Sequence, residues 1–501
     1  MGLAMLLDMV VAGHGSRLAL GSSGAGGLTF GDLGRLADGG GGLLASRQAS
    51  HAVLLARNGP VLPTLLFASA KAGVPLVPLN YRSSRDQLLD SLRPFDSPLV
   101  VADEDYLPLL PDTVQALSTR AFFAECEAAE PVRDAEPGDD EPAVLLYTSG
   151  TTSRPKAAIL RHRNLVSYIL STVEFGSAAQ DDVALVSVPP YHVAAIGSVL
   201  SNTYAGRRVV YLPDFNPQAW LDLVAEERVT SVMVVPTMVS RILEVLNGQA
   251  ASAPALRLIS YGGARMPPGV LHRALAAFPD AGFCNAYGLT ETSSTIALLT
   301  PEDHRQAMTS ADPAIQGRLR SVGRAVPGIE AEIRGSDGTR SPVGGRGHLW
   351  VRGQQISGEY SAVGSLVDAD GWFDTRDEAW MDPAGYIYLE GRTDDLIIRG
   401  AENIAPAEIE DVLAEHPAVK EVAVLGLPDD EWGERIIAVI VPHPGSISSP
   451  EELRGELREF VRARLRSSRT PDEIVWREDL PHTETGKLLR RQLAEELIQS
   501  K

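Results

Sequence analysis

Short apolar runs alternate with amphipathic stretches of helical periodicity along the first half of this chain, and this alternation restricts the possible folds most. The apolar runs are 51–56, 73–79, 98–103, 183–189, 208–212 and 229–236. Helical patterns lie between them, for example at 216–227 and 237–247. Buried strands that alternate with helices are typical of α/β proteins with largely parallel sheets. The sequence therefore predicts a large N-terminal domain of layered α/β sheets, in which the glycine-rich segment 38–43 is either a loop or a weakened helix.

The sequence changes character at about residue 371, where Asp, Gly and aromatic residues become frequent. Farther on, a helical pattern covers 406–419, strand patterns cover 420–426 and 435–442, and another helix starts at Ser449. Pro450 at its first turn and Glu452 in a capping-box position support that start. These patterns predict a small, mobile α+β C-terminal domain. The predicted boundaries are 1–391 for the N-terminal domain, 392–395 for a hinge and 396–501 for the C-terminal domain.

Composition excludes several classes of protein. Of the 501 residues, 44% are hydrophobic and 22% are charged, as in ordinary globular proteins. No window reaches the roughly 18 uninterrupted apolar residues of a membrane span, and no basic region precedes the first apolar residues as it would in a signal peptide. We therefore expect a cytoplasmic protein without an integral membrane segment. Peripheral membrane contact, and a monomer or a homodimer, stay open.

Charge and cysteine content narrow the possible partners. A formal net charge of −20 argues against nonspecific nucleic-acid binding, which needs clustered cations. Cys126 and Cys284 stand far apart, without a CxxC pattern or a nearby His/Cys cluster. This spacing argues against a structural zinc site and for a reducing compartment.

Lysine is scarce in this chain. Of 45 cationic residues, five are lysines, namely Lys71, Lys156, Lys420, Lys487 and Lys501. Since arginine serves nearly everywhere else, a remaining lysine suggests a position that needs a compact, flexible point charge. Lys156 and Lys487 stand in conspicuous surroundings, whereas the other three have no evident role beyond the surface.

The stretch LLYTSGTTSRPKAAIL (145–160) leaves an apolar strand and immediately supplies hydroxyl groups, a glycine and two cations. A loop of this composition offers backbone N–H groups, hydroxyl donors and a lysine to a chain of phosphates. It is not a Walker A loop, because Pro155 precedes the lysine and Ala157 follows it. By itself it is either a phosphate-binding loop or a polar surface turn.

TSGTTSRPKA (148–157) closely resembles the phosphate-binding signature of the AMP-forming adenylating enzymes, which include acyl-CoA synthetases, peptide-synthetase adenylation domains and luciferases. Six further segments resemble other motifs of this family, in the family's order. They are PPYHVAAIG (189–197), YGGARMP (261–267, similar to the adenine-side loop), NAYGLTETS (285–293), GWFDTRD (371–377), GRTDDLIIRGAENIAPAEIE (391–410) and PHTETGKLLRR (481–491). The resemblance covers nearly the whole chain, and six motifs in the family's order are a strong signal.

The resemblance implies a role for individual residues. The expected contacts to the β- and γ-phosphates of ATP come from Thr148, Ser149, Gly150, Thr151, Thr152 and Lys156. The expected adenine slot consists of Gly263, Ala264, Asn285, Tyr287 and Gly288, with Tyr287 stacked on the base. Asp377, helped by Arg392, is expected to bind the ribose. Thr290 is expected at the α-phosphate and Glu291 at Mg²⁺, while Lys487 bridges the α-phosphate and the substrate carboxylate and His192 lies near the acyl group.

Four positions depart from the family pattern, which usually has glycine where this chain has Ser153, Ala157, Arg376 and Ala401. A β-carbon at such a position tightens the backbone if φ must be positive. None of the four removes a charged catalytic group. Adenylation is therefore well supported, and transfer to a thiol slightly less so.

The expected reaction is activation of an apolar carboxylic acid, fatty or aryl, through an acyl-adenylate, followed by transfer to coenzyme A. ATP, Mg²⁺ and coenzyme A are the implied cofactor and co-substrates. One alternative keeps the adenylation and transfers the acyl group to the thiol of a carrier protein acting in trans, or to an amine. Another, from a different class, is a silent nucleotide-binding protein, although the four groups Lys156, Glu291, Asp377 and Lys487 argue against it.

The acyl pocket is the least defined part of the prediction. Its plausible wall positions are His192, Val193, Ala194, Gly197, Val235, Thr237, Gly262, Met266 and Ser293. They are mostly small or apolar and include no cation for a second carboxylate.

A rotation of the C-terminal domain between the two steps is also expected. By resemblance, Lys487 serves adenylation and the 400–403 element serves thioester formation, and both cannot face the acyl group at once. We therefore place the pivot at Asp394.

Overall fold

The computed structural model describes residues 2–22, 26–132, 138–148, 156–335, 337–361, 363–392, 395–399, 402–429, 432–446, 449–465, 467–483 and 488–499. The helices are α1 Ala4–His14, α2 Phe30–Ser46, α3 Val61–Ala72, α4 Arg85–Leu92, α5 Thr119–Ala128, α6 His162–Thr172, α7 Val193–Ala205, α8 Pro217–Glu226, α9 Pro236–Leu246, α10 Pro268–Ala277, α11 Pro301–Thr309, α12 Pro313–Gln316, α13 Pro406–Ala414, α14 Pro450–Arg462 and α15 Arg490–Gln499.

The strands of the N-terminal half are β1 Leu18–Leu20, β2 Leu28–Thr29, β3 His51–Leu55, β4 Leu76–Pro78, β5 Pro98–Ala102, β6 Gln115–Ser118, β7 Pro142–Thr148, β8 Lys156–Arg161, β9 Val183–Val186, β10 Arg208–Tyr211, β11 Ser231–Val234 and β12 Leu258–Gly262. Those that follow are β13 Gly282–Leu289, β14 Ser294–Leu299, β15 Arg324–Ala325, β16 Glu330–Arg334, β17 Arg346–Arg352, β18 Glu359–Tyr360, β19 Gly364–Ser365, β20 Phe373–Met381, β21 Ile387–Arg392, β22 Ile397–Arg399, β23 Glu402–Ile404, β24 Val419–Asp429, β25 Gly433–Pro442 and β26 Glu473–Trp476.

Two large sheets with parallel centres form the N-terminal domain. One has the order β15-β14-β13-β12-β11-β9-β10-β1-β2 and the other the order β19-β18-β8-β7-β4-β3-β5-β6. Helices lie between them, since one apolar cluster contains Leu54 of β3, Ile196 of α7 and Val186 of β9. The predicted α/β class is therefore confirmed. Each strand predicted in the first half is present with shorter bounds, whereas the two predicted at 420–426 and 435–442 are longer, as β24 and β25.

Two smaller sheets complete the described chain. Strands β16-β17-β20-β21 form an antiparallel sheet, and β23-β22-β25-β24, with β26 beside β25, form the sheet of the smaller C-terminal domain. The former ends at Arg392 and the latter begins at Ile397. The exact domain boundaries and the pivot stay predictions, and Asp394 lies outside the described residues.

Two local predictions need correction and one is resolved. The helix expected over 406–419 ends at Ala414, because Pro417 disfavours a helical conformation at the residue before it. Ser449 is the N-cap of α14, but its side chain makes no capping hydrogen bond. The glycine-rich segment 38–43 lies inside α2, so it is helical.

Across the described ranges, no helix combines the length and the apolar character needed to cross a membrane.

Candidate functional site

The ends of the predicted phosphate loop are held together by strand pairing. Thr148 is the last residue of β7, Lys156 is the first of β8, and the two are direct antiparallel partners. Ser149, Gly150, Thr151, Thr152 and Ser153 lie outside the described residues. Ala157 belongs to β8, so this position needs no glycine and its departure from the family pattern is harmless.

The predicted metal-binding residue, Glu291, lies in a short turn directly after β13. Its backbone carbonyl accepts hydrogen bonds from the N–H groups of Ser357 and Gly358, both at 2.9 Å. Its carboxylate accepts a hydrogen bond from the phenol of Tyr360. Burial, and then the charge of Glu291, raise the pKa of this phenol, so that it stays protonated and donates.

Tyr360 also connects Glu291 with the phosphate loop, although none of the sequence motifs contains it. It lies on β18 and pairs with Ala158 of β8, two residues after Lys156, with which β8 begins. It therefore joins the strand at the end of the phosphate loop to the predicted magnesium ligand. No local pattern marks this role, because it depends on the pairing of two strands about 200 residues apart in the sequence.

A single carboxylate fits the chemistry of Mg²⁺ bound with ATP. Magnesium prefers oxygen ligands and commonly uses one or two carboxylates together with water and substrate phosphates. In the part of the chain that the structure describes, no group of three or more His, Cys, Asp or Glu residues forms a separate metal cage. Glu291, close to the ends of the phosphate loop, is consistent with this mode of binding.

The ribose and adenine residues meet through a second phenol–carboxylate pair. Tyr287 of β13 donates a hydrogen bond to the carboxylate of Asp377, which is 6% exposed and faces Arg392 across β20 and β21. Burial, and then the charge of Asp377, raise the pKa of Tyr287. The structure thus brings together the residues predicted to hold the base and the sugar.

The backbone of the adenine-side loop is tightly constrained. Gly263 has φ +80°, and a β-carbon at Gly262 would collide with the carbonyl oxygen of Ala286. A β-carbon at Gly288 would likewise collide with the carbonyl oxygen of Ser294. Ala264 follows Gly263 in this loop, and Asn285 donates from its amide to the carbonyl of Ser321 at 3.5 Å. Thr290 opens the turn that carries Glu291.

Arg376, one of the four departures, does occupy a strained position. Its φ is +60°, in the left-handed region that glycine adopts without cost. Its N–H donates to the carboxylate of Asp374 at 2.8 Å, which stabilises the turn just before Asp377. The family's glycine is therefore explained by backbone geometry.

His192 is the N-cap residue of α7, where the predicted acyl pocket begins. Burial lowers its pKa to about 4, so the ring is neutral near pH 7. One turn along α7, a β-carbon on Gly197 would meet the Ser294 hydroxyl at 3.0 Å and the Tyr168 ring at 3.5 Å. The predicted wall is closed at this point by side chains that pack against the glycine.

The remaining wall positions lie on several elements. Val193 and Ala194 begin α7, whereas Val235 and Thr237 lie at the start of α9 and Met266 follows the adenine-side loop. Ser293 is fully buried, and its hydroxyl has no hydrogen-bond partner among the residues that the structure describes.

Lys487, Gly400 and Ala401 lie outside the described residues, but the described residues on either side of 484–487 are held by defined contacts. His482 and Leu488 form a β-bridge. Arg490 makes a two-pronged contact to Glu410 of α13, at 2.6 and 2.9 Å. Sequence reasoning missed this pair, which ties the segment after Lys487 to the face of α13.

Ion pairs join the two domains. Arg265 of the adenine-side loop pairs with Asp411 of α13. Lys420 pairs with Glu244 at 3.2 Å, and Arg320 approaches Glu415 to 3.9 Å. The predicted nucleotide loop is therefore linked directly to the smaller domain.

Known proteins share this architecture and sequence. Residues 7–361 match the model of the AMP-binding enzyme family, and residues 408–487 match that of the AMP-binding enzyme C-terminal domain. Feruloyl-CoA synthase of an Amycolatopsis species is 33% identical over 89% of this chain and 88% of its own. The fatty acid–[acyl-carrier-protein] ligase ScoC of Streptomyces coeruleorubidus is 31% identical over 86% and 83%.

Solved structures of adenylating enzymes have the same fold as this chain. ATP-bound MatB from Rhodopseudomonas palustris, 25% identical, superposes with a TM-score of 0.87 over 99% of both chains. Apo MatB from the same organism gives 0.77 over the same share, so the described backbone is closer to the ATP-bound form. From the two matched family models and the relatives above 30% identity, this chain belongs to the AMP-binding enzyme family, that of the AMP-forming adenylating enzymes.

Proposed function

We propose that this protein joins an apolar carboxylic acid to the thiol of coenzyme A in two steps. In the first step a carboxylate oxygen attacks the α-phosphorus of ATP, the bond to the bridging oxygen of the β-phosphate breaks, and pyrophosphate leaves. In the second step the thiol sulfur attacks the acyl carbon, AMP leaves with the oxygen of the mixed anhydride, and the thiol proton passes to solvent.

The observation that carries this proposal is the position of Tyr360. It joins β8, which begins at Lys156 at the end of the phosphate loop, to Glu291. Tyr287, which pairs with Asp377, lies on β13, the strand that leads into the turn with Glu291. A triphosphate in the loop, a base beside Tyr287 and a ribose at Asp377 therefore form one continuous nucleotide site. Such an arrangement has no purpose in a protein that binds only the acid.

The chain's own residues account for most of the first step. Lys156 faces the phosphates from the loop's end, where a mobile point charge offsets their negative charge. Glu291 would hold Mg²⁺, which, when bound, offsets further charge on the phosphates. The neutral ring of His192 at the start of the acyl pocket adds no charge that would hold the substrate carboxylate away from the α-phosphate.

The acyl pocket favours compact, apolar acids. Gly197 is closed off by Ser294 and Tyr168, so the wall does not continue as an open channel along α7. An aryl acid or a short aliphatic acid fits such a site better than an extended chain. The similarity to feruloyl-CoA synthase supports an aryl acid.

A second candidate function differs only in the molecule that accepts the acyl group. ScoC, with a similar level of identity, is named for an acyl-carrier-protein acceptor. A carrier-protein thiol, or an amine, is therefore the alternative to coenzyme A, and the adenylation step is the same in each case.

The test measures the two steps separately. Exchange of labelled pyrophosphate into ATP is assayed with a panel of aryl and aliphatic acids, and the preferred acid is then offered with coenzyme A, a holo carrier protein or simple amines. We expect exchange with compact apolar acids and thioester formation with coenzyme A. If none of the acids supports exchange, adenylation is refuted. If product forms with the carrier protein or with an amine but not with coenzyme A, the alternative is established. Lys487→Ala is the control, since we expect it to suppress adenylation while a pre-formed adenylate still yields the thioester.

A further inference from the structure

Two neighbouring residues of α11, Asp303 and His304, hold the phenols of two different segments, β12 and the turn before β21, each of which leads to the predicted nucleotide site. His304 is paired with the hydroxyl of Tyr261 at 2.9 Å. Asp303 accepts a hydrogen bond from the hydroxyl of Tyr386 at 2.6 Å. All four side chains are buried. Neither α11 nor these tyrosine hydroxyls belong to the site derived above.

The direction of the His304 hydrogen bond follows from its second contact. Nδ1 lies 2.9 Å from the carbonyl oxygen of Thr300, and a carbonyl only accepts, so Nδ1 carries the proton. Burial lowers the pKa of the ring, which is therefore neutral. Nε2 is consequently an acceptor, and the Tyr261 hydroxyl donates to it.

Tyr261 positions the adenine-side loop because it is the first residue of that segment and belongs to β12. It pairs with Asn285 of β13, and it is followed by Gly262, whose backbone lies against Ala286. Gly263 then turns the chain with a positive φ. Neither glycine has a side chain that would fix the loop, so the buried phenol of Tyr261 adds a side-chain anchor to the strand pairing of Gly262 with Ala286.

Tyr386 serves the ribose side in a corresponding way. It stands directly before β21, and the next residue, Ile387, donates its N–H to the carbonyl of Gly323 at 2.8 Å. Strand β21 ends at Arg392, opposite Asp377. Displacement of Tyr386 would therefore shift the start of the strand that carries the ribose contacts.

Asp303 is itself held rigidly. Its carboxylate accepts from the N–H of Thr300 at 2.9 Å and from the hydroxyl of Thr300 at 2.7 Å, which completes the cap of α11. A helix cap with this reciprocal pattern fixes the side chain before it meets Tyr386. The hydrogen bond to Tyr386 thus adds a link between elements to an already ordered group.

We propose that Asp303 and His304 are positioning residues for the nucleotide: together they set the adenine-side loop relative to the ribose-side strand and thereby determine the affinity for the adenosine part of ATP and AMP. This inference rests on the proposed function, because it assumes that the nucleotide occupies that site. It goes beyond it by assigning the geometry of the site to a helix that the nucleotide does not touch.

The test compares variants by AMP affinity, by the separate KM values for ATP and for the acid, and by thermal stability. Tyr261→Phe and His304→Leu each remove the first link, Tyr386→Phe removes the second, and His304→Gln keeps an acceptor for Tyr261. Ser69→Ala is the matched control, because it removes an equally short buried hydrogen bond (2.9 Å, to the carbonyl of Leu66) within α3.

We expect Tyr261→Phe, His304→Leu and Tyr386→Phe to weaken AMP binding and raise the KM for ATP about fivefold to tenfold, since a buried group left unpaired is costly. The KM for the acid should stay within about twofold, and His304→Gln should recover most of the AMP affinity. Ser69→Ala should lower the melting temperature without changing AMP affinity.

Two results would overturn the inference in distinguishable ways. If the phenylalanine variants melt at a lower temperature but bind AMP as well as the unaltered protein, the links are structural only and the proposed function still stands. If the unaltered protein binds no AMP at all, the proposed function fails and this inference fails with it.

Discussion

Arg265 and Asp411 form an ion pair that joins the two domains. Arg265 directly follows Ala264 of the predicted adenine slot, and Asp411 lies on α13 of the C-terminal domain. The side chain of Asp411 is 17% exposed, and its burial raises its pKa, against the opposing effect of Arg265. A buried carboxylate that loses its cation is strongly destabilised. The pair therefore ties the arrangement of the domains to the position of the nucleotide loop.

Asp411→Asn should loosen this arrangement. Without this pair, the ion pairs that remain between the domains among the described residues are the two longer ones, Lys420–Glu244 and Arg320–Glu415. They are more exposed and more easily screened by salt. We expect a broader distribution of distances between spin labels placed on the two domains, measured by pulsed electron paramagnetic resonance. Glu415→Gln is the control, and an equally narrow distribution in Asp411→Asn would show that the pair does not hold the domains.

Lys156→Ala should reduce catalysis with respect to ATP by about 2–4 kcal/mol of transition-state stabilisation, comparable to the loss of one preorganised donor. The measurement is kcat/KM for ATP at saturating acid. Lys71→Ala is the matched control, because Lys71 lies on α3, outside the predicted site, and pairs with Asp8 and Asp38 at 2.7 Å. Catalytic efficiency unchanged by Lys156→Ala would mean that the loop is only a surface turn.

Tyr360→Phe should lower kcat/KM for ATP about tenfold, because the variant leaves the Glu291 carboxylate without its phenol donor. The KM for the acid should change little, since Tyr360 lies on the phosphate side. Tyr204→Phe provides a comparison, as its buried ring packs on Phe175 at 5.3 Å without a role in the site. If the two substitutions change kcat/KM for ATP equally, Tyr360 has no specific role in the nucleotide site.

Arg376→Gly should stabilise the fold. The residue has φ +60°, where the strain of a β-carbon destabilises the folded state by about 1–2 kcal/mol. Glycine removes this strain, but it also raises the conformational entropy of the unfolded chain, which offsets part of the stabilisation. We expect a net increase of about 0.5–1 kcal/mol in the free energy of unfolding, measured by urea titration. A decrease would show that contacts of the arginine side chain outweigh the backbone strain.

His162 should make stability depend on pH. It is 2% exposed, its Nδ1 accepts the N–H of Leu3 at 3.2 Å, and burial lowers its pKa from 6.5 to about 4. Between these values the unfolded chain binds the proton more readily than the folded one. The free energy of unfolding should therefore fall as pH falls from 6.5 to 4, by about 3 kcal/mol from this residue.

His162→Gln keeps an acceptor for Leu3 and removes the titration. The variant should lose that part of the slope, whatever its stability at pH 7, when urea titrations are compared at several pH values. An unaltered slope would assign the dependence to other buried groups.

The sequence indicated the sheets and the order of the site elements because these depend on local patterns. Apolar runs predicted the strands, and Thr148, Tyr287 and Asp377 follow from contiguous motifs. Contacts between distant segments left no such pattern. Tyr360 reaches Glu291 only because β18 pairs with β8, and Arg490 meets Glu410 across the fold of the C-terminal domain.

The glycine-rich segment of α2 shows why local propensity misleads. Four consecutive glycines weaken an isolated helix, so the sequence alone allowed either a loop or a weakened helix at 38–43. In the structure, β-carbons at Gly39 and Gly42 would collide with the carbonyl oxygens of Cys126 and Glu130. The glycines permit close packing of a helix against another segment, and that requirement is invisible in the segment itself.

The adjacent positions of Asp303 and His304 give the nucleotide site an angular reference. Successive residues of an α-helix project about 100° apart around its axis, so the directions in which the two phenols are held are related by the helix and not by the segments that carry the phenols. Substitutions elsewhere in either segment leave this angle unchanged. Insertion of one residue between the two would turn one wall of the site away from the other, so α11 tolerates changes of residue on its outer surface far better than changes of length.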